Sequence, residues 1–174
     1  EAFVTTVLFD DQYEMIHNRF NIEMIRPLTA NDYYARGCTA LLDAVGRTID
    51  QVGRTQKYLP EEERAEKVIF VITTDGLENS SVEYSYRDIK KMIEAKKECG
   101  WEFLFLGANI DAIETAGQIG IAPEMAGNYH CDSEGTRLNY EVISEAICAV
   151  RACSPLAAGW KDRIDRDYSC RKTL

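Results

Sequence analysis

The sequence predicts an α/β fold: a three-layer, doubly wound, mostly parallel sheet with one antiparallel hairpin at its edge. Three observations predict it. Strand-like and helix-like segments alternate from Phe3 to Ala152 without internal repeats or low-complexity linkers. Two strand segments, Val68–Thr73 (VIFVIT) and Trp101–Leu106 (WEFLFL), are almost continuously apolar, as strands covered by helices on both faces are. The two segments at the start of the chain have the β-branched and aromatic content of a strand pair joined by a turn.

Taken in order, Phe3–Phe9 (FVTTVLF) ends in the turn-prone Asp10-Asp11-Gln12 and is followed by the partly alternating Tyr13–Ile22 (YEMIHNRFNI), so the two pair as a hairpin. From Thr39 the period becomes helical: Leu41, Leu42, Val45, Ile49 and Val52 form one stripe, Thr39 is placed to cap it, and Gly53 reads as its stop. After the Val68–Thr73 strand, Ser85 with Asp88 marks a helix start; Tyr86, Ile89, Met92 and Ile93 share a side, and Gly100 ends it. The Trp101–Leu106 strand leads to Asp111 and Glu114, another helix-start signature ahead of Ile113, Ala116 and Ile119, with Asn109 also read as a cap. A short strand over Gly127–Cys131 and a long helix from Ser133 to Ala152, with Leu138, Val142, Ala146, Ala149 and Val150 inward, complete the series. One domain over 1–153 is expected, with 154–174 a tail whose WKDRIDRDY segment forms a peripheral helix.

Composition narrows the function. The chain has 174 residues, 45% of them hydrophobic, enough for one sizeable core. Its 20 basic against 29 acidic residues leave a net charge of −9, which argues against nucleic acid as a partner. No apolar run reaches the roughly 18 residues of a membrane span, and EAFVTTVLF lacks the basic and small-residue pattern of a signal peptide, so a soluble cytoplasmic protein is expected. The six cysteines are widely scattered and read as reduced, mostly buried small hydrophobes. His17 and His130 have no partners at zinc spacing and read as structural, Lys90-Lys91 and Lys96-Lys97 as a solvated helix face, and Asp10 and Asp11 as turn residues.

In open α/β sheets, ligands sit outside the carboxyl ends of the parallel strands. Asp75, in Thr74-Asp75-Gly76, stands at such an end, and so does Asn109. By itself Asp75-Gly76 is equally a plain turn.

The segment Arg36-Gly37-Cys38-Thr39-Ala40-Leu41-Leu42-Asp43-Ala44 and the later Thr74-Asp75-Gly76 with Glu78-Asn79 resemble the G-x-T-x-L and T-D-G segments of von Willebrand factor A-type domains. The order of elements over Phe3–Ala152 follows that family, and FVTTVLFDD, NDYYARGCTALLDAVG and TTDGLENSS are similar to stand-alone bacterial and phage-borne members. The resemblance implies a Rossmann-like sheet and a protein-binding module that recognises its partner through a divalent cation, usually magnesium. Thr39 and Asp75 match two of the cation's ligand positions, and an acidic side chain of the partner completes the shell. Glu78 and Asn79 support the loop. The D-x-S-x-S motif on the family's first, central strand has no match between Glu1 and Leu174. The expected consequences are a sheet lacking its middle strand, a weak or absent cation in this chain, and strand edges open to pairing with a second copy. A metal-independent interaction scaffold is the alternative. A hydrolase or phosphotransferase using Asp75 ranks lower, because no G-x-x-x-x-G-K-[ST] loop, G-x-S-x-G elbow or second spaced carboxylate accompanies it.

Overall fold

The computed structural model describes residues 1–29, 37–152 and 156–171. Residues 30–36, which include the Arg36 of the threonine-bearing segment, lie outside the described residues, as does Cys153. The chain is a mixed α/β protein of two compact units: Glu1–Glu66 with Glu78–Ser85, and Lys67–Leu77 with Tyr86–Leu174.

In the first unit, β1 (Phe3–Phe9) pairs antiparallel with β2 (Tyr13–Asn21) in the expected hairpin. Asp10 Oδ1 accepts the Gln12 amide and closes the turn. The register slips between Val4 and Val7, and Arg19 adopts a φ of 53°, so the ladder is irregular there. The helix α1 (Leu41–Tyr58) buries Leu41, Leu42, Val45 and Ile49 along the predicted stripe. It runs straight through Gly53, which the sequence marks as a stop. Gly lowers helix stability by only about 1 kcal/mol, so a glycine inside an otherwise favourable segment is carried along.

In the second unit, β3 (Ile69–Thr74), β4 (Glu102–Gly107) and β5 (Ala126–Asn128) form a parallel sheet in chain order. The hairpin and this sheet are separate sheets, not one continuous one; among the described residues β1 pairs only with β2, and β3 only with β4. The links from β3 to β4 and from β4 to β5 carry α2 (Tyr86–Glu98) and α3 (Ala112–Gln118). Gly100 provides the left-handed turn (φ 82°) that ends α2 and turns the chain into β4. Successive strand residues point to opposite faces, and β4 is buried on both: Phe103 and Phe105 on one, Leu104 and Leu106 on the other. Leu106 belongs to a core with Val142 and Ile143 of α4 (Ser133–Arg151) and Ile164 of α5 (Asp162–Arg171).

Two readings are corrected here. The segment after residue 155 is no peripheral appendage: Ile164 is 1% exposed, Trp160 packs on the same core, and Lys161 donates to the carbonyls of Pro123 and Ala126 beside β5. The described cysteines, Cys38, Cys99, Cys131, Cys148 and Cys170, are free and exposed instead of buried. Ile113 faces solvent because the short α3 turns Ala112, Thr115 and Ala116 to the core. No helix among the described residues is long and apolar enough to cross a membrane.

Candidate functional site

Asp75 immediately follows β3, at the carboxyl end of the parallel sheet, and its side chain is exposed. The turn that presents it is held from within: the Thr74 hydroxyl donates to the Gly76 carbonyl at 3.1 Å. It is also held from β4. The Ala108 amide donates to Thr74 O at 2.9 Å, and Asn109 Nδ2 donates to the Asp75 carbonyl at 3.3 Å. Asn109 therefore is not a helix cap. It occupies the left-handed region (φ 59°), which asparagine tolerates better than most residues, and from there it ties the two strand ends together. The α3 cap is Asp111, whose Oδ1 accepts the Glu114 amide as expected, and Asn128 Oδ1 accepts the Ala112 amide from β5. Beyond β5, the Cys131 thiol donates to Asp75 Oδ2 across 3.9 Å. Although Cys131 is exposed, partial desolvation of its sulfur first, and then the charges of Asp75 and Asp132, push this thiol above its ordinary pKa.

Thr39 lies in the other unit, and its position is set by Asn79. The Thr39 amide donates to Asn79 Oδ1 at 2.9 Å, while the Asn79 amide donates to the Thr39 carbonyl at 3.0 Å. Thr39 is not the helix cap either: Ala40 occupies that position and makes no side-chain bond. The orphan amides of α1 are met from residues 78–81 instead. Glu78 Oε2 accepts the Leu42 amide at 3.0 Å, and Ser81 Oγ accepts the Asp43 amide at 3.1 Å. A carboxylate at the positive end of a helix is favourable, and Glu78 also accepts the amides of Ser80 and Ser81 and the Ser81 hydroxyl. Asp43 returns the arrangement. Its buried carboxylate accepts the amides of Val82, Glu83 and Tyr84, each at 2.9 Å. Burial alone would raise the Asp43 pKa; the three amides and Arg47 outweigh it and hold the group below its ordinary value.

Sequence reasoning missed Asp43 and Ser81 and understated Glu78. An acid in the first turn of α1 was the only signal for Asp43, and acids there usually serve the helix end and not a distant loop. His17 engages Thr6 Oγ1, and His130 stacks on Tyr168 while its Nε2 meets the Tyr168 carbonyl.

A magnesium ion requires about six oxygens in octahedral array. Around Asp75, its own carboxylate supplies oxygen, the Thr74 hydroxyl is committed to its turn, Asn109 presents an N–H, and the facing atom is a sulfur. Among the described residues no group of three or more His, Cys, Asp or Glu is placed to hold a metal. Comparison with protein-family models, with curated proteins and with solved structures finds no match to this chain.

Proposed function

We propose that this chain is a protein-binding module of the von Willebrand factor A type that meets its partner at the carboxyl end of its parallel sheet. One observation carries the reading: Asp75 is exposed at the end of β3 in a turn anchored by Asn109 at the end of β4. That is where open parallel sheets bind ligands, and a fixed backbone under an exposed carboxylate presents it to a partner at little entropic cost. In this reading Asp75 is a weak outer contact for a divalent cation, and an acidic side chain of the partner approaches from solvent. A metal-independent scaffold is the second reading, favoured by the thiol that faces Asp75 where an oxygen donor would serve a hard cation better.

Manganese titration followed by NMR tests this. The expected result is selective broadening of the Asp75 and Gly76 amides at about millimolar Mn²⁺, lost in Asp75→Ala, with no stoichiometric micromolar magnesium binding by calorimetry. Thr39, named by the same resemblance, is read in the same spectra as an independent reporter. Absence of any broadening at Asp75 rejects the cation reading in favour of the scaffold, and tight magnesium binding overturns the assessment of the donor set.

A further inference from the structure

Beside Asp75, within the second unit, lies an open groove of about 560 Å³. Its volume falls in the roughly 300–1,000 Å³ range of sites that enclose small ligands or side chains. The loop after β3 contributes Leu77, the loop after β4 contributes Asn109 to Asp111, and α3 contributes Glu114 and Gln118. Tyr86 at the start of α2 and Tyr168 on α5 supply two aromatic rings. Leu77 is 62% exposed and adds an apolar side chain to the rim.

The charge of this lining is one-sided. Among the described residues that line it, Asp111 and Glu114 are the ionisable acids, and none is a lysine, arginine or histidine. Asp111 is fixed by its capping bond to the Glu114 amide, while the Glu114 side chain projects from the exposed face of α3. Tyr168 is immobilised by its stacking on His130, at 4.8 Å between ring centroids. Carboxylates beside aromatic rings and amide oxygens are the complement of a guanidinium, which pairs with the acid and stacks on the ring. An acidic occupant would meet repulsion, and a purely apolar one would gain nothing from the two exposed acids.

We propose that this groove receives an arginine side chain from a segment of the partner protein, with lysine a weaker substitute. The inference rests on the reading of the sheet's carboxyl end as a partner-binding edge, and it adds a basic side chain in the groove to the acidic one that the cation reading brings to Asp75. The net charge of −9 assists the encounter without specifying the groove.

The test is an NMR titration of the full chain with four blocked pentapeptides, glycine throughout except for a central arginine, lysine, norleucine or glutamate. The arginine peptide is expected to shift the resonances of Leu77, Ile110, Glu114 and Tyr168, and to bind at least about tenfold more tightly than the norleucine peptide. Glu114→Gln, an exposed substitution, is expected to weaken arginine binding about three- to fivefold, and raising salt to weaken it further. Equal binding of arginine and norleucine, preference for glutamate, shifts spread over the acidic surface and absent from the groove, or indifference to Glu114→Gln would each overturn the proposal. The manganese experiment at Asp75 is independent: arginine binding with a silent Asp75 removes the cation reading alone, and a responsive Asp75 with a silent groove removes this inference alone.

Discussion

Asp43 is the residue whose removal tests the architecture of the threonine-bearing unit most sharply. Its carboxylate accepts three backbone amides from 82–84 at 2.9 Å, and the side chain is buried. Hydrogen bonds to a charged group are worth about 1.5–3 kcal/mol each. Three at the low end come to about 4.5 kcal/mol, but the bonds share one carboxylate, and the amides of a surface loop regain water once released. Roughly half of that sum, about 2–3 kcal/mol, is the expected cost of Asp43→Ala. Amide exchange at Val82, Glu83 and Tyr84 should then accelerate about 30- to 150-fold, since about 1.4 kcal/mol is a factor of ten. Asp43→Asn should lose nearly as much, because an amide keeps the shape but not the charge and turns an N–H towards donors. The pH dependence has a definite sign. The folded pKa lies below the unfolded value of about 3.9, so the contribution is fully present above that value and is lost as pH falls through the folded pKa. Exchange at 82–84 should therefore become less sensitive to Asp43→Ala in strong acid. Exchange rates within about threefold of the parent at neutral pH, or an acceleration spread evenly over the unit, would refute the assignment.

Three further outcomes follow from the packing. Gly46→Ala would place a Cβ 2.7 Å from the Tyr84 ring, whose hydroxyl is tied to Asp50 Oδ2 at 3.0 Å. The overpacking cost of about 1–3 kcal/mol should exceed the helix gain of about 1 kcal/mol, and a urea midpoint above the parent's would contradict it. Ile164→Ala should cost about 2–5 kcal/mol in chemical denaturation, because Ile164 is fully enclosed among Leu106, Val142 and Ile143; a loss under about 0.5 kcal/mol would return the last helix to the periphery. Asp75→Asn should speed alkylation of Cys131 at pH 8 about two- to threefold, read peptide by peptide in a mass spectrometer, because removing a nearby negative charge lowers the raised thiol pKa and increases the thiolate fraction. An unchanged or slower rate would show that Asp75 does not act on that sulfur.

Local pattern was sufficient for the elements. The hairpin of Phe3–Phe9 and Tyr13–Asn21, the stripe of Leu41, Leu42, Val45 and Ile49, the buried β4 and the Asp111 cap all follow from periodicity and turn chemistry, because each is decided by residues within a few positions of one another. The sequence also put Asp75 at a strand end, where the structure has it. It was silent or mistaken wherever the deciding partner was distant along the chain. Thr39 looked like a cap, yet α1 is capped by Glu78 and Ser81, and the acid that matters in its first turn, Asp43, serves residues 82–84. Asn109 looked like a cap and ties strand ends together instead, and Ile164 looked peripheral and lies in the core. Hydrophobic and turn preferences are local and can be read residue by residue. Which carboxylate meets which amide depends on where tertiary folding brings residues some 40 positions apart, and only the structure decides that.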